Sequence, residues 1–286
     1  MRLPRQHFTP RQYMEAADFE LFHFHDTEPK EVDFHNHDFF EIYLFLSGNV
    51  NYIIEGKSYK LKPRDILIIN NKELHKAFIE KGAAYERIVI WINPDYIKGL
   101  NTGKTNLLSI FDSSSFNRYN LIRPRPDIIE YIYDIVEKLG MSCSSPVYGS
   151  DILKNVYFTE LLVYLNRAYQ ISSGKDIELD VTHNDKITGI IQYINENLDG
   201  DVSLQALSSR FYLSKYHLLR EFKKYTGYTI HKYIQQKRLI MAKELLRDCK
   251  QITEVCSKCG FGDYSNFIRS FTKEFGVSPK KYCSRL

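Results

Sequence analysis

The chain has few cysteines and no paired cysteine pattern. Its 286 residues include five cysteines, and an odd set without regular spacing excludes the disulfide framework of a small secreted protein. Cys256 and Cys259 form one CxxC pair inside a predicted helix. Because no second Cys or His pair stands nearby to complete a tetrahedral zinc site, we predict that both cysteines are packing residues.

The sequence also has no long apolar run. Its apolar runs, such as 42–46 and 66–69, fall far short of the roughly 20 residues of a membrane helix. The first residues are basic, but no apolar stretch follows them, so we expect no secretory signal. The expected location is therefore the cytoplasm, without a membrane partner.

Neither sign of charge dominates, since the formal net charge is only +4. The distribution is uneven, however. Residues 182–286 contain 18 Lys and Arg against 10 Asp and Glu, whereas the residues before them carry a net charge of −4. A basic C-terminal third suggests an anionic partner, although many basic faces are only solvated.

The region from about 20 to 95 contains short β-branched and aromatic runs that are separated by turn signals. The predicted strands are 39–46, 51–54, 58–62, 65–69 and 86–91. Several short strands at this spacing are typical of a small barrel or sandwich. The apolar period then becomes helical, at 126–140 and 151–169.

The polar stretch 171–184 has no apolar period and is predicted to be an interdomain linker. Everything after it predicts helix, and one motif occurs twice. A short helix, a turn and a longer helix occupy 204–226 and, about 50 residues later, 252–275. The longer helices are predicted at 215–226 and 264–275, each followed by a glycine, with Ser214 as the cap of the first. This is the pattern of a helix-turn-helix, whose second helix enters the major groove of DNA.

A predicted helix of 19 residues, 230–248, joins the two motifs. At 1.5 Å per residue it spans about 28 Å, which approaches the roughly 34 Å repeat of B-DNA. One chain could therefore present two helices to successive major grooves. The predicted fold class is α+β multidomain, with these domains: a barrel at 1–125, a helical segment at 126–170, the linker at 171–184 and an all-α DNA-binding domain at 185–286.

The last hundred residues resemble the AraC family of regulators. The most specific part is GFGDYSNFIRSFTKEFGVSPKKY, residues 260–282. The other residues that carry the resemblance are Leu204, Ala206, Leu207, Ser214, Leu218, Arg220, Phe222, Lys223, Gly227, Tyr233, Arg238, Ala242, Leu245, Leu246, Ile252, Val255 and Arg285. One departure is Cys256, where the family usually has alanine. The resemblance implies two tandem helix-turn-helix units that bind double-stranded DNA.

By that resemblance, eight side chains are expected to contact bases: Lys215, Tyr216, Leu219, Arg220, Tyr264, Ser265, Ile268 and Arg269. Arg220 and Arg269 can each hydrogen-bond a guanine edge bidentately. Alternatively, either arginine contacts a phosphate or forms a surface ion pair. Leu219 and Ile268 could make only apolar contacts, for instance with a thymine methyl group. The predicted phosphate contacts are Lys223, Lys224, Lys237 and Lys273.

Two segments of the N-terminal part resemble the motifs of the cupin barrel. They are HNHDFFEIYLFLSG, residues 35–48, and PRDILIINNKELH, residues 63–75. His35, His37 and Glu41 are odd-numbered within one extended run, so their side chains share a face. With His75 they form the set of three histidines and a carboxylate that cupin enzymes use for a divalent metal. Arg64 departs from the glycine that cupins generally prefer there.

Sensor cupins that precede an AraC-type region usually bind a small ligand, often a sugar, without needing a metal. The resemblance therefore implies a pocket lined by five residues and no cofactor. The expected pocket residues are His35, His37, Glu41, Tyr43 and His75. Metal binding and purely structural histidines stay open as alternatives. The two helices at 126–140 and 151–169 are expected, by the same resemblance, to form a homodimer, unless they only cover the open end of the barrel.

Together these features predict a sequence-specific transcription regulator and not an enzyme. We expect it to activate transcription, with RNA polymerase as a partner, in response to a small cytosolic sugar or sugar derivative. Two alternatives stay open. One is a metal-dependent cupin enzyme with an accessory DNA-binding module, and the other is a regulator whose barrel only dimerises.

Overall fold

The computed structural model describes residues 3–9, 11–30, 32–80, 82, 84–112, 118–171, 175–248 and 251–284, with backbone alone at 175 and 176. The chain divides into two compact units, Met1–Thr182 and His183–Leu286, named here the N-terminal and C-terminal units. Arg285 and residues 172–174 of the predicted linker lie outside the described residues.

The described part of the N-terminal unit contains nine strands in two antiparallel sheets. The strands are β1 (Phe19–Asp26), β2 (Phe40–Ser47), β3 (Val50–Ile54), β4 (Lys57–Lys60), β5 (Ile66–Ile69), β6 (His75–Ile79), β7 (Tyr85–Ile92), β8 (Leu121–Ile122) and β9 (Val181–Thr182). The first sheet has the order β1-β7-β2-β5-β8, and the second has the order β6-β3-β4-β9. Each of the five individually predicted strands is present within two residues of its predicted ends.

The same unit contains four helices and a 3-10 turn among its described residues. They are α1 (Pro94–Leu100), the 3-10 helix (Leu107–Phe111), α2 (Pro126–Ser144), α3 (Ser150–Ile171) and α4 (Lys175–Glu178). The predicted end of the helix at 126–140 is wrong, because α2 continues for one more turn, to Ser144. A Cβ at Gly140 would overlap the side chain of Leu3, so this glycine allows close packing and does not end the helix.

The first sheet is buried on both faces. Even-numbered residues such as Ile42 and Ile90 belong to a core cluster shared with α2 and α3. Their odd-numbered neighbours, such as Tyr43 and Trp91, belong to a second, aromatic-rich cluster shared with the second sheet. The division follows from the alternation of side chains along a strand. The sheet thus separates an aliphatic core from an aromatic one.

The predicted closed barrel is wrong, although the predicted α+β class, with a β-rich N-terminal part and a tandem helix-turn-helix part, is confirmed. Closure requires a hydrogen-bonded ladder that runs all the way round. Among the described residues the two sheets share no ladder, and β8 and β9 have only two residues each. The ladders therefore end before the sheet edges can join, and the sheets pack face to face.

The predicted linker also differs from the structure, because much of 171–184 is ordered. Strand β9 pairs with β4, and Ile177 and Val181 are buried in the aromatic cluster. Asp180 accepts hydrogen bonds from Arg123 at 2.9 Å and from Lys62 at 2.5 Å. Two buried residues four apart were too weak a signal in this polar segment. The boundary between the units falls after Thr182.

The described part of the C-terminal unit consists of seven helices. They are α5 (Asp185–Glu196), α6 (Leu204–Arg210), α7 (Lys215–Thr226), α8 (Ile230–Arg247), α9 (Ile252–Lys258), α10 (Tyr264–Phe275) and α11 (Pro279–Cys283). The predicted bounds of α7 and α10 are confirmed to the residue. No helix in the described ranges combines the length and the hydropathy that crossing a bilayer requires.

Both longer helices of the tandem motif start and stop by the same physical means. The Ser214 hydroxyl accepts from the backbone N–H of His217, and the Asp263 carboxylate accepts from that of Asn266. These bonds satisfy N–H groups that have no partner within a helix. Both helices end at a left-handed glycine, Gly227 with φ 74° and Gly276 with φ 70°.

The core of the C-terminal unit uses the aromatic residues at helical spacing. Six residues at helical spacing are predicted to pack in this core. Leu218, Phe222, Phe267 and Phe271 are fully buried, whereas Leu245 and Phe261 are half-buried. The two cysteines of the CxxC pair are buried too, and burial raises the pKa of the Cys259 thiol to about 12. A thiol at that pKa stays protonated near neutral pH, which fits the predicted packing role.

Candidate nucleic-acid interface and ligand cavity

Helix α7 presents its predicted base-contacting residues to solvent. Tyr216 is 76% exposed and Leu219 is 41% exposed, and Lys215 and Arg220 are exposed as well. The opposite face holds the buried Leu218 and Phe222 that anchor the helix. Leu219 and Arg220 are therefore accessible to the major groove of DNA, and their contact with bases stays a prediction.

Arg220 already has neighbours on its own helix. Its Nε atom donates to Glu221 at 3.1 Å, and its Nη2 atom lies 3.3 Å from Nδ1 of His217. Such an exposed pair contributes about 1 kcal/mol or less. Binding a guanine would require Arg220 to leave Glu221, at a small energetic cost.

Helix α10 presents a similar but not identical set. Tyr264 is 46% exposed, and Ser265 and Arg269 are exposed too. Within the described ranges, Arg269 forms no ion pair or hydrogen bond. Ile268 differs from its counterpart Leu219, because it is half-buried and packs against the cluster around Phe267.

The two recognition helices border one groove of about 520 Å³. Leu219 of α7 lines one side, Asn266 of α10 lines another, and Ile234 of the connecting helix α8 lies between them. With 18 residues, α8 is about 27 Å long. The exposed residues of both motifs therefore flank a shared surface.

The predicted phosphate contacts are not all available. Lys223, Lys224 and Lys273 are exposed. The prediction for Lys237 is wrong, because its side chain is only 6% exposed and its ammonium lies 5.5 Å from the centre of the Tyr233 ring. Spacing along the helix alone could not show that Lys237 lies on a buried face of α8 and not on an exposed one.

The N-terminal unit encloses a cavity of about 90 Å³. Four of the five predicted pocket residues line it: His35, His37, Glu41 and Tyr43. Aromatic side chains form much of the wall, including Phe39, Tyr52 and Trp91. A mostly aromatic wall with a few convergent polar groups is typical of small-molecule sites, although this cavity is smaller than most.

His75 lies next to the cavity. Its ring centre is 4.3 Å from that of His35 and 4.9 Å from that of His37. An isolated antiparallel bridge between His35 and His75 holds their backbones together. Burial, and then the neighbouring imidazoles, keep the pKa of His75 well below its ordinary value, so its ring is neutral near neutral pH.

All three histidines are oriented by backbone carbonyl groups. Nδ1 of His37 lies 2.7 Å from the oxygen of Phe39, and Nδ1 of His75 lies 2.9 Å from that of Glu73. His35 makes the same bond to Asp33 at 2.9 Å. A carbonyl oxygen only accepts, so Nδ1 of each ring carries a proton that it donates to the carbonyl group.

Glu41 is held by two neighbours in the wall. Trp91, its cross-strand partner on β7, donates from Nε1 to Oε2 at 3.0 Å. Tyr52 is the second neighbour, and burial, followed by the charge of Glu41, raises the pKa of that tyrosine well above its ordinary value. The carboxylate is therefore fixed with Oε2 at 3.5 Å from Nε2 of His37.

Sequence reasoning missed the contribution of β7 to the cavity. Tyr85, Arg87, Val89 and Trp91 all line it, and all are odd-numbered. Alternation places these four side chains on one face of β7, but only the pairing of β7 with β2 turns that face toward the cavity. Arg87 pairs with Asp26 and lies 4.1 Å from the centre of the Tyr85 ring.

The backbone conformation at Arg64 shows why cupins generally prefer glycine at this position. Its φ angle is 77°, in the left-handed region that favours glycine. Other residues are strained there by about 1–2 kcal/mol. The turn keeps its shape, since the backbone N–H of Arg64 donates to Phe45 at 2.8 Å. The second cupin-like segment therefore still forms its turn, although it has Arg64 in place of glycine.

Comparisons with known proteins agree with this division. The sequence model described as AraC-like ligand binding domain matches residues 17–111, and that described as helix-turn-helix domain matches residues 207–285. The chain is 26% identical over 249 residues to the HTH-type transcriptional activator RhaS of Salmonella schwarzengrund, over 86% of this chain and 85% of that protein.

Two solved structures are similar in part. The DNA-binding domain of AdpA, in complex with a target DNA, is 24% identical with a TM-score of 0.35, over 36% of this chain and 93% of that chain. ToxT from Vibrio cholerae with an unsaturated fatty acid bound is 14% identical with a TM-score of 0.38, over 95% and 96% of the two chains.

The ligand-binding match covers the strands that form the cavity, and the helix-turn-helix match covers both recognition helices. Both matched regions stand in the order that the sequence resemblance implies. The chain belongs to the AraC family of transcription regulators, with an AraC-like ligand binding domain followed by a tandem helix-turn-helix region.

Proposed function

We propose that this regulator activates transcription from an operator with two major-groove elements, in response to a small hydroxylated molecule such as a sugar. The observation that carries the proposal is that two exposed, separately capped recognition helices and a polar-aromatic cavity occur on one chain. A ligand can shift the activity only by its different affinity for the active and inactive arrangements. RNA polymerase is the partner that an activator requires, and the cytoplasm is where both meet the chromosome.

The aromatic wall suits a sugar-sized ring. Trp91, Tyr52 and Phe39 offer flat apolar faces, while Glu41 and the histidines offer acceptors for hydroxyl groups. The volume of about 90 Å³ is below the roughly 300 Å³ at which drug-sized pockets begin. We propose that the effector is a small monosaccharide derivative, and that the cavity binds it without transforming it.

We also propose that the protein is a homodimer through α3 and the residues before it. Tyr148 is fully exposed, Ile152 is 64% exposed and Val156 is 51% exposed, and the three are four residues apart. An apolar stripe at this spacing suits a partner helix. The opposite face of α3, with Phe158 and Leu162, is fully buried in the aliphatic core, so α3 packs against α2 without covering this stripe.

Selection of DNA from the chromosome that carries this gene tests the first proposal. The purified full chain is mixed with genomic fragments at near-physiological salt, with and without candidate sugars, because salt governs non-specific binding. We expect one enriched motif with two elements about one helical turn apart. Salt-sensitive binding to all fragments under every condition would contradict it.

Sedimentation of the full chain tests the dimer. The paired substitution Ile152→Asp with Val156→Asp is expected to shift the chain to monomer. Leu179→Asp is the control, because Leu179 is 98% exposed in the same unit but lies outside the stripe. A dimer that survives the paired substitution would rule out this interface.

A further inference from the structure

The two recognition helices differ in the third residue after the N-cap. That residue is His217 in α7 and Asn266 in α10, and both side chains are exposed. The first residues of a recognition helix face the base edges of the major groove. Asn266 therefore lies where a side chain can contact a base, although it is not among the eight residues that the family resemblance implies.

Within α10, Asn266 shares a face with Arg269, because residues three apart are neighbours on a helix surface. Arg269 is exposed too. Ile268, by contrast, is half-buried and packs against the cluster around Phe267. Asn266 also borders the groove that the two recognition helices share. The accessible polar surface of α10 therefore includes Asn266, whereas Ile268 is partly withdrawn into the core.

Two consecutive hydrogen bonds, named here the relay, connect Asn266 to the helix that joins the motifs. Nε2 of Gln235, in α8, donates to the hydroxyl oxygen of Ser270 at 3.0 Å. That hydroxyl group donates in turn to Oδ1 of Asn266 at 3.4 Å. Gln235 and Ser270 are both half-buried. The relay therefore begins between α8 and α10 and ends at an exposed side chain of α10.

The relay favours one orientation of the Asn266 amide. Oδ1 accepts the hydroxyl proton of Ser270 and keeps a second acceptor site, because an amide oxygen has two lone pairs. If the amide turned over, its NH₂ group would face Ser270, and the hydroxyl proton would lose this acceptor. In the part of the chain that the structure describes, Nδ2 of Asn266 donates to no other group. Its protons are therefore available to a base.

We propose that Asn266 recognises an adenine in the second major-groove element of the operator, and that Gln235 and Ser270 are its positioning residues. In the major groove an adenine presents an acceptor, N7, beside a donor, its N6 amino group. Asn266 offers the complementary pair, because Nδ2 donates and Oδ1 accepts. Guanine presents two acceptors there and does not match this pair. The inference rests on the proposed operator binding.

The first motif has a different arrangement at the corresponding positions. Seven residues after the cap, where α10 has Ser270, α7 has Glu221, which accepts from Arg220 at 3.1 Å. His217 contacts the same arginine, with 3.3 Å between Nδ1 and Nη2. An ionised carboxylate only accepts, so Glu221 cannot donate to a side chain one turn before it. We therefore expect the adenine preference in the second element alone.

Selection by the full chain from a pool of randomised DNA duplexes tests the adenine contact. We expect the unchanged chain to enrich a motif with an adenine at one position of the second element. Duplexes with each other base pair at that position should bind about 5–150-fold more weakly in fluorescence anisotropy, the range of a bidentate base contact. Asn266→Ala should bind all four duplexes almost equally and keep its preferences at the other positions.

Variants of the relay test the positioning role. Gln235→Met and Ser270→Ala each remove one hydrogen bond and should lower the adenine preference by about 2–10-fold, the net worth of such a bond, at this position alone. Ser270→Thr keeps a hydroxyl group and should restore the preference that Ser270→Ala loses.

Gln236→Met is the matched control. Nε2 of Gln236 also donates from α8 to α10, to Glu274 at 2.9 Å, but Glu274 lies more than two turns beyond Asn266. This variant loses a similar bond between the same helices without interrupting the relay. It should enrich the same motif as the unchanged chain.

The contrary results are distinguishable from one another. An undiminished adenine preference in Asn266→Ala would overturn the base contact and leave the proposed operator binding in place. A preference that Asn266→Ala loses but Gln235→Met and Ser270→Ala keep would overturn the positioning role. Weaker preference at every position in Gln235→Met would overturn it as well, because that result indicates a packing defect. If the unchanged chain enriched no motif, the proposed operator binding and the adenine contact would both be contradicted.

Discussion

The two helix-turn-helix motifs of the C-terminal unit use the same turn in different surroundings. In both, the second residue after the first helix is left-handed: Tyr212 has φ 54° and Gly260 has φ 71°. Tyr212 is 93% exposed. A Cβ at Gly260, by contrast, would overlap the carbonyl oxygen of Leu198 and crowd the guanidinium of Arg238.

This difference shows that the turn of the first motif is exposed to solvent, whereas the turn of the second motif packs against other parts of the C-terminal unit. Arg238 of α8 donates from Nε to the carbonyl of Leu198 at 2.9 Å, which ties the connecting helix to the loop after α5. Gly260 packs against both groups. The turn of the second motif therefore packs against the connecting helix and the loop after α5, and only glycine fits there.

The largest expected effect is that of Gly260→Ala. The left-handed conformation and the overlap with Leu198 should together lower the free energy of unfolding by about 3 kcal/mol. Thermal unfolding of the full chain, followed by circular dichroism, measures it. Gly262→Ala is the control, because nothing lies within 4 Å of a Cβ built there. Equal losses of unfolding free energy in the two variants would contradict the close packing at Gly260.

Removing the recognition arginines should show the next largest effect. Arg269→Ala and Arg220→Ala are each expected to weaken operator binding by about 1–3 kcal/mol. The loss should be larger for Arg269, because Arg220 must leave Glu221 to bind. Fluorescence anisotropy on the selected operator and on scrambled DNA gives both affinity and specificity. Lys186→Ala, which removes an exposed charge outside both motifs, controls for charge alone. Unchanged discrimination in both arginine variants would contradict their assignment.

The paired aliphatic residues should separate stability from recognition. Ile268→Ala is expected to lower the free energy of unfolding by about 1 kcal/mol, because Ile268 is half-buried. Leu219→Ala should change it by no more than about 0.5 kcal/mol and should instead weaken operator binding. Urea unfolding measures both. If Leu219→Ala proved the more destabilising, the difference between α7 and α10 would be lost.

The smallest expected effect is a gain from Tyr212→Gly. Relief of left-handed strain, about 1–2 kcal/mol, is partly offset by the greater freedom of glycine in the unfolded chain. The net gain should stay below about 1 kcal/mol in urea unfolding. Tyr216→Gly, at an exposed position inside α7, should instead destabilise the unit by a similar amount. A loss in both variants would mean that Tyr212 makes a stabilising contact.

The sequence predicted the C-terminal unit far better than the N-terminal one. Helix α7 was predicted to the residue because a serine cap, a helical apolar period and a terminal glycine agree locally. Strand β6 was missed because His75, Lys76 and Phe78 mix charge and aromatic residues without clean alternation. A strand is completed by partners distant in the chain, so its local signal is weaker.

The sequence predicted only part of the cavity lining, because a local pattern identifies residues on one strand but not their partners on another. His35, His37, Glu41 and Tyr43 share a parity within one run, and the structure brings them to one wall. Trp91 and Arg87 reach that wall from β7 only because β7 pairs with β2 in register. A register is set between strands, so no local pattern could place Trp91 against Glu41.

The sequence by itself determined the tandem motif, its caps, its exposed recognition residues and the set of histidines with a carboxylate. These depend on spacing along one helix or strand, where neighbours in the chain are neighbours in space. Only the tertiary structure decided that the sheets do not close into a barrel, that Lys237 is buried, that 175–182 belong to the N-terminal unit, and that Gln235 is connected to Asn266 through Ser270. Each of these depends on packing between distant segments, which burial and hydrogen bonding settle together.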